Sequence, residues 1–139
     1  MVNLKVGYAF VVGDLLHVGH LKFFQKCKKY CDFLIVGVYT DRLTASYKRK
    51  PVIPFEERLE MVKALKVVDL VVKVESKDCT PMLKKLAEEG WKISFLFHGD
   101  DWKNVEGGDY VESIGGKLIL TPYYPKQDST KIIEECKKR

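Results

Sequence analysis

Five short, mainly apolar runs, separated by stretches with helical periodicity, constrain the fold of this chain most strongly. The runs span residues 4–12, 33–39, 69–74, 93–97 and 117–121. In the first two, apolar residues occupy consecutive positions, which is typical of strands buried on both faces of a parallel sheet. Strand and helix alternate along the chain. The sequence therefore predicts one α/β domain over residues 1–139, with a Rossmann-like, doubly wound fold and a five-stranded, mainly parallel sheet.

The bulk composition indicates a globular protein and argues against a membrane span. Of the 139 residues, 46% are hydrophobic and 31% are charged, which is typical of a folded domain. No apolar stretch approaches the roughly 18–20 residues that a membrane helix needs, and residues 1–5 lack a signal-peptide pattern. The four cysteines have no CxxC spacing, so reduced thiols and a cytoplasmic location are expected.

The turn between the first strand and the first helix carries an unusual set of side chains. Asp14, His17, Gly19 and His20 lie close together there, and two of the three histidines of the chain are among them. The first turn of a helix binds phosphates well, because it has free N–H groups and the positive end of the helix dipole. Histidines three residues apart share a helix face, and glycine allows close approach of a ligand. This turn therefore predicts a phosphate site.

Three further polar segments follow later strands and are expected at the same edge of the sheet. They are a basic loop containing Lys48, the segment Gly99–Trp102, and the start of the last helix at Ser129 and Thr130. Ligands of doubly wound folds bind beyond the carboxyl ends of the strands, where the strand order reverses. The four segments together predict one phosphate-directed site, in which residues 40–54 form a long loop.

Motifs of three other enzyme classes are absent from the sequence. There is no GxxxxGK[ST] phosphate loop, no GxGxxG dinucleotide fingerprint and no GxSxG hydrolase elbow. Imidazoles, cations and hydroxyls remain, and such groups stabilise charge on a transferring phosphoryl or nucleotidyl group without a covalent intermediate.

The segment Asp14-x-x-His17-x-Gly19-His20 resembles the HxGH motif of the nucleotidyltransferase superfamily. The resemblance continues in order along nearly the whole chain, through Thr40-Asp41, the Lys48 loop, Glu57-Arg58 and the run from His98 to Lys103. The run Gly99-Asp100-Asp101-Trp102 is similar to that of cytidylyltransferases acting on glycerol phosphate or ethanolamine phosphate, and of modules associated with phosphonate tailoring.

This resemblance implies a reaction and an assembly. CMP would be transferred from CTP to a small phosphorylated or phosphonate alcohol, with release of pyrophosphate. Mg²⁺ would accompany the nucleotide as cofactor, and the protein would be a homodimer. Products of such reactions are phospholipid or cell-envelope precursors.

The resemblance also implies roles for the matching residues. His17 and His20 would bind the triphosphate and stabilise the transition state, and Lys48 would bridge the α-phosphate and the acceptor. Asp14 would orient the second histidine or the metal-bound nucleotide. Arg58 would help hold either the acceptor side or the basic loop, and Asp41 is implied at the substrate. The other residues implied at the nucleotide are Val11, Val12, Gly19, Gly99, Asp100, Asp101, Trp102, Ser129 and Thr130.

Two segments depart from the family pattern. The Gly-Thr-Phe that usually precedes the first motif is replaced by Val11-Val12-Gly13. In the late motif, Arg-Thr-x-Gly-Ile-Ser-Thr-Thr in the family, the arginine and the glycine are missing from Tyr123–Thr130. Lys126 or Lys131 is expected to replace the lost positive charge.

Two other functions stay open from the sequence. Lys50–Pro54 and Glu57–Leu59 also resemble archaeal FMN adenylyltransferase-like proteins, so an ATP-dependent adenylyltransferase acting on FMN, a sugar phosphate or a pantetheine phosphate is an alternative. The net charge of +5 is compatible with a non-catalytic nucleotide-binding or RNA-binding module. Nucleic acid is the less expected partner, because the lysines are spread over several helices.

Overall fold

A computed structural model describes residues 4–102 and 104–139. Its strands are β1 (Val6–Val11), β2 (Phe33–Tyr39), β3 (Leu70–Val74), β4 (Ile93–Gly99) and β5 (Lys117–Thr121). Its helices are α1 (Val18–Lys28), α2 (Asp41–Ala45), α3 (Phe55–Lys63), α4 (Thr80–Glu88), α5 (Gly108–Ser113) and α6 (Ser129–Lys138). The first predicted strand includes Leu4 and Lys5, which precede β1. Residues 1–3 of the predicted domain lie outside the described residues.

The five described strands form one sheet in the order β3-β2-β1-β4-β5. Every neighbouring pair is parallel, so the predicted α/β fold is confirmed and its sheet is parallel throughout. The chain builds outward from β1 to β3 and then crosses back to β4. The strand order thus reverses between β1 and β4, and the carboxyl ends of these two strands flank the point where such folds bind ligands.

Both faces of the sheet are covered, which explains the consecutive apolar residues of β1 and β2. On one face, Phe24 of α1 and Val62 of α3 pack in a cluster with Leu34 and Phe97. On the other face, Leu83 of α4 packs in a second cluster, whose other buried members include Tyr8, Ile35, Leu96 and Val111. Residues that alternate along β2 enter opposite clusters, so each strand position is apolar.

Two helix boundaries differ from the sequence prediction. The apolar pattern after the turn predicts a helix that starts near Leu21, but α1 begins at Val18 because His17 is its N-cap. The predicted loop over residues 40–54 contains α2, which is only five residues long and is capped by Thr40. The Thr40 hydroxyl oxygen accepts a hydrogen bond from the Leu43 N–H at 3.1 Å. A helix of this length has no clear apolar periodicity, and the sequence pattern therefore does not reveal it.

The start of α4 also differs by one residue. The pair Thr80-Pro81 predicts an N-cap at Thr80, yet Cys79 occupies that position and Thr80 is already helical. The Thr80 N–H is satisfied by the Asp78 carboxylate at 2.9 Å. The cap is therefore supplied by an aspartate two residues upstream.

Two expectations from composition can be compared with the structure. Cys27, Cys31 and Cys79 are buried free thiols and Cys136 is an exposed one, as predicted. No helix within the described part of the chain has the length and apolar character needed to cross a membrane.

Candidate active site

A cavity of about 450 Å³ lies at the carboxyl ends of β1 and β4. Most of the residues expected at the nucleotide or in catalysis line it: Val11, Val12, Asp14, His17, Gly19, His20, Lys48, Asp101, Trp102, Ser129 and Thr130. Four other expected residues are not part of its lining: Asp41, Arg58, Gly99 and Asp100. All four polar segments singled out in the sequence therefore contribute to one cavity.

The two histidines of the turn are held by backbone hydrogen bonds of α1. The Gly19 N–H donates to His17 Nδ1 at 3.0 Å, and the His17 N–H donates to His20 Nδ1 at 3.1 Å. The rings lie against each other, with centroids 4.0 Å apart. Since each Nδ1 is an acceptor, the proton of each neutral ring is on Nε2. Both imidazoles thus present an N–H donor rather than a lone pair.

Burial keeps both imidazoles neutral. It lowers the pKa of His20 to about 4, with smaller contributions from the neighbouring His17 and from the Lys48 cation. Burial also lowers the pKa of His17, although the Asp128 carboxylate opposes this shift. Below neutral pH, protonation of either Nδ1 would remove an acceptor that caps α1. The pair therefore supplies neutral hydrogen-bond donors at pH 7.

Gly19 is required because the His17 ring lies over it. A Cβ at residue 19 would lie 2.6 Å from His17 Cε1 and 3.1 Å from the Gln127 carbonyl oxygen. Either distance is too short for a carbon atom without displacement of its neighbour. The absence of a side chain at Gly19 thus leaves room for the His17 ring in its observed position.

Asp14 connects three segments of the site. Its buried carboxylate accepts hydrogen bonds from the Val52 N–H at 2.9 Å and the Ile53 N–H at 3.0 Å. Its carbonyl oxygen accepts the Ser129 hydroxyl at 2.7 Å. The side chain therefore anchors the end of the basic loop, and the main chain anchors the start of α6.

This use of Asp14 bears on the expected Mg²⁺. Its buried carboxylate accepts one backbone N–H at each oxygen, so Asp14 is already engaged in holding the basic loop. No group of three His, Cys, Asp or Glu side chains that could hold a metal ion occurs among residues 4–102 and 104–139. A metal that enters with the nucleotide would therefore be held mainly by phosphate oxygens.

Arg58 lies beneath the cavity rather than in its wall. Its fully buried guanidinium donates to the carbonyl oxygens of Ile53 at 2.8 Å, Tyr39 at 2.8 Å and Val12 at 2.5 Å. It also pairs with the Asp41 carboxylate at 2.6 Å. The geometry gives Arg58 and Asp41 a positioning role, because they join the ends of β1 and β2 to the basic loop. Direct contact with a substrate was expected of them from the resemblance.

The segment after β4 is built around stacked rings. Trp102 stacks on His98 with centroids 4.0 Å apart, and Phe10 packs against both rings. The Asp100 N–H donates to the Thr121 carbonyl oxygen at 2.9 Å. A Cβ on Gly99 would lie 2.0 Å from the Tyr123 ring. Gly99 and Asp100 thus support the wall, while Trp102 forms part of it.

His98 has the opposite tautomer from the motif histidines. Its Nδ1 lies 3.0 Å from the Gly99 carbonyl oxygen and must donate to it. In the neutral ring Nε2 is therefore an acceptor. Burial lowers the pKa of His98, which favours this neutral form.

Sequence reasoning missed several residues of the lining. They are Phe10, Gly13, Phe23, Tyr39, Thr44, Tyr47, Arg49, Pro51, His98, Tyr123, Tyr124, Gln127 and Asp128. The aromatic residues in this set are indistinguishable from core residues in the sequence. Arg49 is adjacent to Lys48, and the run Lys48-Arg49-Lys50 leaves open which of its three cations acts in the site. Lys103, which ends the run that resembles the family, lies outside the described residues.

Comparisons with known proteins identify relatives of the whole domain. The profile of the cytidylyltransferase-like family matches residues 13–135. The bifunctional protein HldE of Geobacter metallireducens is 34% identical over 88% of this chain, and that of Granulibacter bethesdensis is 31% identical over 96%. The chain spans only 25% and 27% of the lengths of these two relatives.

Solved structures of similar fold include one that matches almost the whole chain. The lipopolysaccharide core biosynthesis protein of Thermoplasma volcanium is 26% identical, with a TM-score of 0.69, and the match covers 91% of this chain and 100% of that one. NadR in complex with NAD and AMP-PNP shares the fold alone, at 16% identity and a TM-score of 0.56 over 98% of this chain and 41% of that one. By the match over residues 13–135, the chain belongs to the cytidylyltransferase-like family of nucleotidyltransferases.

Proposed function

We propose that this protein transfers a nucleotidyl group from a nucleoside triphosphate to a small phosphorylated or phosphonate acceptor and releases pyrophosphate. The observation that carries the proposal is the pair of Nε2–H donors of His17 and His20 at the start of α1. They share a cavity with Lys48 and with Thr130 of α6. Two helix N-termini and a cation thus face one space, which suits a polyanionic ligand.

The proposed reaction is an in-line displacement at the α-phosphorus. An oxygen of the acceptor phosphate or phosphonate forms the new bond, and the bond from the α-phosphorus to the bridging oxygen of the leaving pyrophosphate breaks. Charge grows on the oxygens around the α-phosphorus, where the donors of His17 and His20 would stabilise it. Lys48 would hold the two anionic reactants together. A phosphate acceptor is already ionised at neutral pH, so the step needs no general base.

Mg²⁺ would contribute charge neutralisation on the triphosphate. Within the cavity, Ser129 and Thr130 at the start of α6 would contact the phosphates farther from the nucleoside. Asp14 and Arg58 would act indirectly, by holding the basic loop against the turn before α1. Val11, Val12, Asp101 and Trp102 would surround the nucleoside.

Between ATP and CTP, the observations favour ATP. The expectation of CTP depended on Gly99–Trp102, and only Asp101 and Trp102 of that segment line the cavity. Among proteins of the same fold, NadR was solved with AMP-PNP, and the pantoate-beta-alanine ligase of Francisella tularensis was solved with an ATP analogue. CTP is the second candidate, in keeping with the description of the family.

The test is pyrophosphate release with ATP and with CTP across a panel of acceptors. The panel should contain sugar phosphates, FMN, pantetheine phosphate, glycerol phosphate, ethanolamine phosphate and aminoethyl phosphonate. Turnover with ATP supports the proposal. Turnover with CTP alone would show that CTP, and not ATP, is the nucleotide substrate. If a folded protein releases no pyrophosphate from either nucleotide but binds oligonucleotides tightly, the non-catalytic module is the better description.

The expected assembly and location are parts of this proposal. We propose a homodimer in the cytoplasm that supplies an activated precursor for phospholipids or the cell envelope. Light scattering of the purified protein distinguishes a monomer from a dimer, since the mass of the chain is 16.0 kDa.

A further inference from the structure

The start of α6 contains a negative charge where a triphosphate tail is expected. Asp128 is the N-cap of α6, and its carboxylate accepts a hydrogen bond from the Lys131 N–H at 2.7 Å. It lines the cavity together with Ser129 and Thr130, and it opposes the lowering of the pKa of His17. A triphosphate bound here would be repelled by this carboxylate unless a cation offset its charge.

The lysines expected to replace the missing arginine do not reach this space. Lys131 Nζ donates to the Pro125 carbonyl oxygen at 2.7 Å, and Lys126 is exposed. Neither belongs to the lining of the cavity. The expectation that one of them supplies the charge is therefore not met by the geometry.

Arg49 reaches the space from the basic loop. Its Nη1 donates to the Thr130 hydroxyl at 3.4 Å, across 81 positions of sequence. Its Nε is buried and has no hydrogen-bond partner among the described residues. A buried donor without a partner is costly, so the Arg49 side chain gains from any small shift that gives Nε an acceptor. Arg49, Thr130 and Asp128 all belong to the lining of the cavity.

We propose that Arg49 binds the β- and γ-phosphates of the nucleoside triphosphate and takes the place of the arginine missing from the late segment, an inference that rests on the proposed function. Its planar guanidinium has several N–H donors, which match two phosphate oxygens at once. The positive charge offsets Asp128. The basic loop and α6 thus bind the leaving group jointly, while the motif histidines act at the α-phosphate.

The proposed role of Arg49 predicts different effects on the binding of triphosphates and of monophosphates. A nucleoside monophosphate has no β- or γ-phosphate, so its binding does not use Arg49. Inorganic pyrophosphate consists of that portion alone, so its binding does. A residue that merely holds the loop in place would affect all of these ligands to a similar degree.

The test compares Arg49→Gln with Lys50→Gln. Lys50 is the next residue of the same loop, is exposed and does not line the cavity, so its variant controls for loss of one positive charge. Calorimetric titrations with ATP, CTP, AMP, CMP and inorganic pyrophosphate give the dissociation constants. We expect Arg49→Gln to weaken triphosphate and pyrophosphate binding by about 10- to 100-fold, with little change for the monophosphates and none from Lys50→Gln.

Arg49→Lys is the second variant, because it keeps the charge and loses the planar arrangement of donors. It should bind pyrophosphate with intermediate affinity, and thermal unfolding of each variant verifies the fold. The assignment is overturned if an active wild-type chain binds pyrophosphate no more tightly than Arg49→Gln, or if monophosphate binding falls equally. A wild-type chain that releases no pyrophosphate from ATP or CTP would instead overturn the proposed function.

Discussion

His17 combines a structural and a chemical role in one ring. Its Nδ1 caps α1, and its Nε2–H is the donor proposed to stabilise the transition state. These roles can be separated, because a short side chain with an oxygen acceptor replaces the cap without reaching the cavity.

We therefore expect His17→Ala to lose at least about 100-fold in kcat and about 1 kcal/mol of stability. His17→Asn should regain most of the stability and little of the rate. Steady-state pyrophosphate release and urea unfolding measure the two effects. Recovery of the rate in His17→Asn would show that the capping bond, rather than the Nε2 donor, sustains catalysis.

Gly19→Ala tests whether the position of the His17 ring matters. The added methyl group would meet the ring at 2.6 Å, so the ring must move. Because a displacement of about 1 Å can cost on the order of 100-fold in rate, we expect kcat to fall by about 10- to 100-fold. Val18→Ala is the control, since Val18 is exposed on the same turn. Equal effects from both substitutions would contradict the steric argument.

At the scale of elements, the C-terminal end of the basic loop is held by buried polar contacts. Asp14 accepts the N–H groups of Val52 and Ile53, and Arg58 binds the Ile53 carbonyl oxygen together with the ends of β1 and β2. If Arg58 only positions the loop, its loss should reduce stability. If Arg58 binds the acceptor, its loss should instead raise the KM for the acceptor.

Arg58→Met should lower the free energy of unfolding by about 3–5 kcal/mol, because the change leaves Asp41 and three carbonyl oxygens without their partner. Arg42→Met, at an exposed position of α2, should have little effect on stability. Urea unfolding gives both values. If Arg58→Met instead unfolds like the wild type and only raises the KM for the acceptor, Arg58 contacts substrate directly.

The elements differ in how far the sequence predicts them. β1 and β2 are clear because both faces of each strand are apolar. The predicted start of α1 differs from the observed one because histidine is an unusual N-cap. The sequence does not predict α2 because so short a helix has no periodic pattern. The site was predictable where a motif is contiguous, as in Asp14–His20. The pairing of Arg49 with Thr130 was not, because only the folded chain brings these residues together.

At the scale of the whole molecule, the histidines make stability depend on pH. Burial lowers the pKa of His17, His20 and His98 in the folded state. Between the unfolded pKa of about 6.5 and the folded pKa of His20 of about 4, the unfolded chain binds more protons. The contribution of these histidines to stability is therefore complete above pH 6.5, and it is lost as the pH falls toward 4.

We expect the free energy of unfolding to decrease between pH 6.5 and pH 5, with His20 contributing up to about 1.4 kcal/mol per pH unit. Urea titrations at several pH values measure the slope in the wild type and in His20→Asn. The variant should show a shallower dependence on pH. An identical slope in both proteins would mean that folding does not lower the pKa of His20.

Helix α6 contributes no buried residue to the core, yet it supplies Ser129 and Thr130 to the cavity. It is attached there through polar contacts with Asp14 and Arg49, far away in the sequence. During synthesis on the ribosome, all five strands are made before α6. The sheet and its apolar clusters can therefore assemble first, and the proposed triphosphate site is completed only when α6 docks.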